Sequence, residues 1–386
     1  MTDRGELHRR MTEWRHDLHA HPEFGFEEHR TARFVADTLR AIGVDEVIEG
    51  VGGTGVVATL TRGTGNRAIA LRADMDALRI AEVSEQPYRS TVPGTMHACG
   101  HDGHTATLLG AAQMLAEEGG FDGTVRFIFQ PAEEWGRGAL AMLGDGLLDR
   151  FPFEEIYGLH NNPGDPVGAF VTRVGPVMSA EDNFEIVLRG VGGHASRPQA
   201  GSETMVPGCE LVMALQAIVS RRLDPGATAV VSVTEFLTDG TRNVLPGMTT
   251  IRGDVRSFNP KVSADVERHM GRIVEGIAAA HGVTAAMTYT REFVPLVNDA
   301  DCTAEAFAAA RTIMGEERIS VADAPITASE DFARFLEHVP GCYAFLGNGV
   351  DSRPLHHPEY DFSDAILLDG ACYFAAIAQR RLAPAS

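Results

Sequence analysis

The sequence contains no long apolar run and little cysteine. No stretch reaches the roughly eighteen consecutive apolar residues that a membrane-spanning helix needs, and the amino-terminal segment is charged throughout rather than apolar. The five cysteines are far apart and include no C-x-x-C pair: Cys99, Cys209, Cys302, Cys342 and Cys372. Free thiols are typical of a reducing compartment. These absences predict a cytoplasmic protein that neither spans a membrane nor depends on disulfides.

Basic residues are also scarce. The chain has 33 Lys and Arg residues against 53 Asp and Glu residues, which gives a net charge of −20 and an isoelectric point near 5.1. A surface of this sign repels phosphate backbones and anionic lipid headgroups. The charge therefore argues against nucleic-acid and membrane-surface partners and favours small molecules.

The length and the apolar content are sufficient for two domains. At 386 residues, 44% of them hydrophobic, the chain exceeds what one hydrophobic core usually serves. Hydrophobic periodicity predicts helices and strands that alternate: helices over 8–20, 26–42 and 104–118, and strands over 67–73, 124–130 and 155–160. This alternation predicts an α/β domain with a central, mostly parallel sheet flanked by helices.

The pattern changes after about residue 178. A β-α-β-β-α order follows, with strands predicted over 184–190, 228–236 and 248–258 and helices over 204–222 and 262–281. The remaining pattern predicts helices over 303–314, 328–337 and from about 363, and a strand over 342–347. We therefore predict a discontinuous first domain, residues 1–178 and 295–386, and an inserted α+β domain, residues 179–294.

The segment MHACGHDGHT, residues 96–105, concentrates chemistry-bearing side chains. It places one thiol, three imidazoles and one carboxylate within eight positions, directly before a predicted helix. Cys and His bind borderline-soft divalent metals, and a helix N-terminus stabilises a thiolate. On its own, the segment fits a His-rich polar loop as well as a metal site.

A pair of glutamates follows the predicted strand 124–130. Glu133 and Glu134 lie in QPAEEWGRGA, beyond the carboxyl end of that strand, where α/β sheets place their ligands. Adjacent side chains of an extended segment point to opposite sides, so one glutamate could bind metal while its neighbour serves as a general base. The alternative is a solvated acidic loop.

Two further segments add histidines. His160 ends a predicted strand in GLHNNPG, and His356 and His357 lie in RPLHHPEYDF near the carboxyl terminus. A single histidine of this kind is more often a hydrogen-bonded structural residue than a ligand. Four segments that each offer Cys, His or Glu at the end of a predicted sheet element favour a shared metal site.

At the level of whole motifs, the chain resembles a known family, the M20 metallopeptidase and aminoacylase group, and within it the amidohydrolases that include hippurate and auxin-conjugate hydrolases. The motifs occur in the family's order along nearly the whole chain: HAHPEFGFEE, ALRADMDALRI, PGTMHACGHDGHT, QPAEEWGRGA, GLHNNP, GVGGHASRP, NVLPG, SEDF and LHHPEYDF. The resemblance implies a metal-binding catalytic domain and an inserted, ferredoxin-like domain that acts as a dimerisation and lid domain.

The resemblance also implies roles for individual residues. Cys99 bridges two divalent metal ions, and the remaining ligands are His101, Glu134, His160 and His356. His356 is preferred to His357 because the family's pattern is Leu-His, a variable residue and Pro. Glu133 is the implied catalytic base, and Asp74 is implied to orient a ligating imidazole through its other nitrogen. The Cys-His-Glu set accepts Zn, Mn, Co or Ni.

Three residues of the inserted domain complete the implied site. His194, in the glycine-rich GVGGHASRP, is implied to stabilise the oxyanion in the site of a partner subunit of a homodimer. On spacing alone it could be an incidental histidine of a surface turn. Asn243 and Arg256 look like residues that meet a substrate carboxylate, although an arginine on a strand could equally be solvated or salt-bridged.

The sequence thus predicts metal-dependent hydrolysis of the amide bond of N-acyl-L-amino acids, of the hippurate or N-acetyl amino acid type. The products are a carboxylic acid and a free amino acid. Alternatives within the same chemistry are a deacetylase of an N-acetylated diamino acid and a dipeptidase. A non-enzymatic alternative is a metal-binding dimeric scaffold.

Overall fold

Helices and strands alternate along the part of the chain that the computed structural model describes, residues 2–384. The helices are α1 (Arg4–Ala20), α2 (His29–Ile42), α3 (His101–Glu118), α4 (Gly138–Gly144), α5 (Leu147–Arg150), α6 (Met205–Arg221), α7 (Pro260–His281), α8 (Ala300–Met314), α9 (Ala333–Leu336) and α10 (Leu367–Arg381). The strands are β1 (Glu46–Val51), β2 (Gly55–Arg62), β3 (Ala68–Asp74), β4 (Gly123–Gln130), β5 (Glu155–Pro163), β6 (Phe170–Thr172), β7 (Gly175–Met178), β8 (Ala180–Arg189), β9 (Gly193–His194), β10 (Ala229–Thr238), β11 (Val244–Leu245), β12 (Met248–Ser257), β13 (Thr284–Phe293), β14 (Leu296–Asn298), β15 (Ile319–Val321) and β16 (Gly341–Gly349). None of the helices within residues 2–384 has both the length and the apolar character that a membrane crossing requires.

The chain divides into two units. The first comprises the chain up to Val177, Val297–Ala324 and the chain from Glu330 onward, and the second comprises Met178–Leu296 with Pro325–Ser329. The sequence did not predict that the short segment Pro325–Ser329 groups with the second unit. The metal-binding role assigned to the first unit, and the dimerisation and lid role assigned to the second, remain predictions.

The first unit is built on an eight-stranded sheet in the order β1-β2-β4-β3-β5-β16-β6-β15. Its four central strands, β4, β3, β5 and β16, are mutually parallel, while β1 and β2 continue the sheet in antiparallel pairing. Residues of β3 are buried almost throughout, as expected for a parallel strand covered on both faces. The predicted α/β class with a mostly parallel sheet flanked by helices is confirmed.

The register of the central strands brings their carboxyl ends to one level. Asp74 at the end of β3 pairs with Gln130 at the end of β4. In the parallel pairing of β3 with β5, Arg72 lies opposite Gly158. Asp74 and His160 each follow this pair by two residues, so they lie at the same level of the sheet. The loops that leave this edge carry the Cys, His and Glu side chains singled out from the sequence. The α/β topology therefore collects segments that are far apart in the chain.

Helix α3 is buried on nearly every side. Its residues from His101 to Leu115 are all buried, and its alanines and leucines belong to a core shared with α1, α2, α8 and α10. A helix that is apolar all round needs neighbours on every face. Because α3 is enclosed in this way, the side chains of its first turn have fixed positions.

The second unit contains a four-stranded antiparallel sheet in the order β10-β12-β8-β13. Helices α6 and α7 supply Leu211, Leu215, Val266 and Met270 to its core, against apolar residues of the strands. The β-α-β-β-α-β order with this strand arrangement is ferredoxin-like. The fourth strand, β13, was not predicted, because its residues are mostly exposed and its apolar pattern is weak.

Two local predictions are wrong. The helix predicted over 328–337 is reduced to Ala333–Leu336. The Glu330 side chain accepts a hydrogen bond from the backbone N–H of Phe332 at 3.0 Å, and the Ala328 carbonyl accepts one from the backbone N–H of Ser179 at 2.9 Å in place of a helical bond. The strand predicted to end at His160 continues to Pro163, so His160 lies within β5.

Candidate metal centre

Cys99 and His101 lie on either side of a sharp turn at the start of α3. Gly100 has a φ of 92°, and a Cβ at this position would collide with the Asn161 side chain, so the turn requires glycine. Both Cys99 and His101 are buried. The turn allows the thiol and the imidazole to line the same pocket although they are only two residues apart.

His160 faces this thiol from β5. Its Nε2 lies 3.5 Å from Cys99 Sγ, and its Nδ1 donates a hydrogen bond to the Asn161 carbonyl at 2.6 Å. That bond fixes the tautomer and leaves the Nε2 lone pair directed at the pocket. Burial lowers the pKa of His160 well below its usual value, and His104 lowers it further. His160 is therefore a neutral imidazole, the form that binds metal.

His101 is surrounded by carboxylates. Its Nδ1 lies 3.1 Å from Asp76 Oδ1, and its Nε2 lies 3.9 Å from Asp74 Oδ1 and 4.0 Å from Glu134 Oε1. Burial alone would lower the pKa of His101, but Asp74, Asp76 and Glu134 together raise it to about 10. Without metal, the imidazole is thus a cation among acids, and a metal ion would replace its proton.

Glu134 and His356 approach the thiol from two other segments. Glu134 Oε1 lies 3.3 Å from His356 Nε2, and the Glu134 backbone N–H donates to Asp76 Oδ2 at 3.1 Å. His356 has a φ of 64°, an unusual conformation for a residue other than glycine, and its backbone N–H donates to the Ala98 carbonyl at 2.7 Å. Ala98 therefore holds the His356 backbone next to Cys99.

The two adjacent glutamates line the same pocket, and the prediction that they lie on an extended segment is wrong. Glu133–Trp135 form a single 3₁₀ turn that begins after Ala132, whose φ is 48°. The Glu28 carboxylate accepts a hydrogen bond from the Ala132 backbone N–H at 2.9 Å and thereby supports the turn. Burial raises the pKa of Glu133 well above its usual value, as do Glu330 and Glu134.

The donor set fits divalent metal ions. Cys99 belongs to two groups whose ligand atoms all lie within 4.8 Å of one another: one with His101 and His160, and one with Glu134 and His356. His101 Nε2 and Glu134 Oε1 are buried, lie 4.0 Å apart and make no hydrogen bond within the described part of the chain, although His356 Nε2 is within ion-pair distance of Glu134 Oε1. Buried polar atoms without a hydrogen bond are costly, and a cation between them would satisfy both.

Asp74 and Asp76 differ in their contacts. Asp74 Oδ1 lies 2.6 Å from Nδ1 of His104, whereas Asp76 contacts the ring nitrogen of His101 that faces away from the other ligands. Asp76 thus makes the contact with a candidate metal-ligating imidazole that the resemblance implied for Asp74, while Asp74 contacts His104. The motif ALRADMDALRI contains both aspartates, and the spacing of the motif alone does not separate them.

A buried ion-pair network that the sequence did not predict lies next to Glu133. Arg72 is buried and pairs with Asp74 at 2.7 Å, Glu330 at 2.9 Å and Asp331 at 3.2 Å. The backbone N–H of Asp331 points to Glu133 Oε1 at 3.4 Å. SEDF contributed to the family resemblance, but nothing in its spacing indicated contact with Glu133.

The three residues predicted from the inserted domain lie in the second unit. His194 is exposed on β9, and its Nδ1 accepts a hydrogen bond from the Ser196 backbone N–H at 3.1 Å. A neutral His194 therefore carries its proton on Nε2. The Asn243 carbonyl accepts from the Ala195 backbone N–H at 3.0 Å, which places Asn243 beside the His194 segment.

Arg256 is engaged within the second unit. Its guanidinium pairs with Glu181 at 2.7 Å and Asp254 at 2.9 Å, and it donates to Ser329 Oγ at 2.8 Å. These contacts correspond to the salt-bridged alternative that the sequence left open. A carboxylate-binding role for Arg256 would require it to exchange at least one of these partners.

Comparison with known proteins identifies the family. The model of Peptidase family M20/M25/M40 matches residues 70–380. The hippurate hydrolase of Campylobacter jejuni subsp. jejuni serotype O:2 is 38% identical over 368 residues, which cover 95% of each chain. The N-acetyl-L-cysteine deacetylase of Bacillus subtilis strain 168 is 38% identical over 378 residues, which cover 97% of this chain and 89% of that one.

A solved structure agrees. The YxeP protein of Bacillus subtilis, described as a dinuclear metal-binding peptidase of the M20 family, matches with a TM-score of 0.88, 34% identity and 100% coverage of both chains. The family predicted from the motifs is confirmed: the chain belongs to Peptidase family M20/M25/M40.

Proposed function

We propose that the protein hydrolyses the amide bond of N-acyl-L-amino acids with two divalent metal ions. The observation that carries this proposal is the pair of ligand groups that share Cys99, with the Glu133 carboxyl beside them. The residues that would hold the ions are Cys99, His101, Glu134, His160 and His356. Zn, Mn, Co and Ni all suit this set of donors.

Bound divalent ions would polarise the amide carbonyl and make a water molecule acidic. Glu133 is the proposed base: it accepts the proton of the attacking water and passes it to the leaving nitrogen. Its burial and its acidic neighbours favour the protonated form, whereas nearby cations favour the carboxylate. Glu133 is thereby suited both to accept a proton and to give it up.

His194 is the proposed oxyanion donor. The hydrogen bond from Ser196 to Nδ1 leaves Nε2–H free to donate, which is the form that stabilises a developing negative charge. Following the resemblance, Asn243 and Arg256 remain the candidates that meet the substrate carboxylate. Arg256 would do so in exchange for one of its present acidic partners.

We further propose that the second unit forms a homodimer. Strand β10 lies at the edge of its sheet, and Val230 and Leu237 on this strand are exposed. Met213 and Val206 of α6 are also exposed, with Met213 at 73%. An unpaired edge strand and exposed apolar side chains are features that a second copy of the chain would cover.

Two relatives suggest the type of substrate. One is named a hippurate hydrolase and another an N-acetyl-L-cysteine deacetylase, and both names describe N-acyl amino acids. Benzoyl and acetyl groups are therefore the two acyl candidates. We propose a cytoplasmic location for this activity, which agrees with five cysteines that are all free in the structure.

A substrate panel tests the proposed reaction. The enzyme is stripped with a chelator, supplied with Mn, Zn, Co or Ni, and assayed on hippurate, N-acetyl amino acids, an N-acetylated diamino acid and dipeptides. We expect no turnover without metal, and the fastest metal-restored turnover on hippurate or an N-acetyl amino acid. The fastest turnover on a dipeptide would favour a dipeptidase, and no turnover on any compound would favour a scaffold.

The variant Glu133→Gln tests the base. It keeps the shape of the side chain but cannot accept a proton, so kcat should fall about 10²- to 10⁴-fold. Metal content, measured by mass spectrometry, should stay at two ions per subunit. Glu27→Gln is the matched control, since Glu27 is 63% exposed in the same unit and should tolerate the change. Loss of an ion from Glu133→Gln would instead make Glu133 a ligand.

Mixing two inactive variants tests both the dimer and the origin of the oxyanion donor. Glu133→Gln and His194→Asn chains are unfolded together, refolded and assayed against each variant refolded alone. If His194 acts on the partner's site, the mixed dimer contains one intact site and activity returns. If His194 acts within its own chain, or if no dimer forms, activity stays at the level of the single variants.

A further inference from the structure

A second buried charge cluster lies beside the candidate metal centre, around Arg15 of α1. The Arg15 side chain has no exposed surface, and its guanidinium pairs with three carboxylates: Asp361 at 2.8 Å, Asp364 at 2.5 Å and Asp102 at 3.4 Å. The guanidinium also lies over the ring of Tyr88, 4.5 Å from its centroid. None of the proposed catalytic steps uses this cluster.

The three carboxylates belong to two different ligand-bearing segments. Asp102 directly follows His101 in the first turn of α3, and Asp361 and Asp364 follow His356 by five and eight residues. One guanidinium therefore connects the segment that carries Cys99 and His101 with the segment that carries His356. The two segments are more than 250 residues apart in the chain.

The His356 segment depends on such attachments. The described residues 350–363 form no helix or strand, and His356 itself is 52% exposed. Several contacts that position this segment come from other parts of the first unit. Tyr88 Oη donates to Asp361 Oδ2 at 2.7 Å, and Asn348 Nδ2 donates to the Asp361 carbonyl at 3.0 Å. Asp361 is therefore a central attachment point of the segment.

Arg15 is well suited to this task. A planar guanidinium presents several N–H donors in fixed directions, so it can orient more than one carboxylate at a time, which a lysine ammonium does less well. Without it, no cation would lie between the Asp102 and Asp361 carboxylates: the buried Asp102 would keep His19 Nδ1 at 2.8 Å, and Asp361 would keep only the neutral donors Tyr88 and Gln86. The bond from one guanidinium nitrogen to carboxylates of both segments would be lost, which would let the two segments separate and His356 move away from Cys99.

We infer that Arg15 is a positioning residue for the metal centre, which holds the His356 segment against the Cys99 segment at ligand distance. The inference rests on the ligand roles given under the proposed function. It assigns Arg15 no contact with metal or substrate. Its effect is on the affinity for the ion that His356 helps to bind.

Metal titration tests this inference. Mn²⁺ is added to chelator-stripped full-length protein, and free Mn²⁺ is followed by its electron paramagnetic resonance signal. In Arg15→Met and Asp361→Asn, we expect one of the two bound ions to lose on the order of 10- to 100-fold in affinity, the range known for partners that orient metal ligands. Arg15→Lys should lie between Arg15→Met and the wild type, and Tyr88→Phe should show a smaller loss.

The control is Arg381→Met. Arg381 also pairs with a buried carboxylate of the first unit, Glu155, which is the first residue of β5 and precedes His160 by five residues. The Arg381→Met variant should have a lower melting temperature than the wild type but should bind both ions with wild-type affinity. The inference is overturned if Arg15→Met loses stability as Arg381→Met does but binds both ions with unchanged affinity.

The remaining outcomes are also decisive. If Arg15→Met fails to fold, Asp361→Asn and Tyr88→Phe are compared with Arg381→Met in the same titration, and unchanged affinity in both overturns the inference. If the wild type itself binds fewer than two ions, the proposed function fails, and the inference fails with it. If the wild type binds two ions, the proposed metal site stands, and the affinities of the variants then test the role of Arg15 alone.

Discussion

The structure depends on the burial of several acidic groups and one thiol in a single pocket. Removing a charge from water costs several kcal/mol per ion even after relaxation, so such a pocket needs cations. Burial accordingly raises the pKa values of Cys99 and Glu133 well above their usual values in the protein alone. His101, with a pKa raised to about 10 by its acidic neighbours, supplies part of the missing positive charge as an imidazolium. Divalent ions would supply more of this positive charge, and their binding would displace the proton from His101.

The fold explains how distant residues share this pocket. Parallel strands end at one edge of the sheet, so the loop after β3, the 3₁₀ turn after β4 and His160 in β5 reach one level. The turn at Gly100 adds Cys99 and His101, and the bond from His356 to Ala98 adds the last segment. Two buried arginines, Arg72 and Arg15, lie next to this assembly, each paired with three carboxylates. Charge compensation therefore extends well beyond the ligands.

Much of this could be predicted from the sequence, for identifiable reasons. The predicted strands over 67–73, 124–130 and 155–160 alternate with apolar-faced helices, and this alternation predicted the mostly parallel sheet that the structure has. The long motifs predicted the family. Strand β13 escaped prediction because it is exposed along most of its length. The helix predicted over 328–337 failed because Glu330 and Asp331 bond to Arg72.

The details of the site were harder to predict, because they depend on contacts between segments. Asp74 and Asp76 are two residues apart in one motif, and only the positions of His101 and His104 show which aspartate each ring contacts. The 3₁₀ turn of Glu133–Trp135 follows a residue in the left-handed region and is supported by Glu28, more than a hundred residues earlier in the chain. Periodicity cannot report such a contact, so the extended geometry inferred for the two glutamates was wrong.

The sharing of the Cys99 sulfur between two ions is the claim on which the catalytic role of the pocket rests. Anomalous diffraction from a crystal grown with Mn²⁺ or Zn²⁺ measures it directly. We predict two anomalous peaks per subunit, about 3.5–4 Å apart, each within bonding distance of Cys99 Sγ. A single peak, or two peaks of which only one lies near the sulfur, would contradict it.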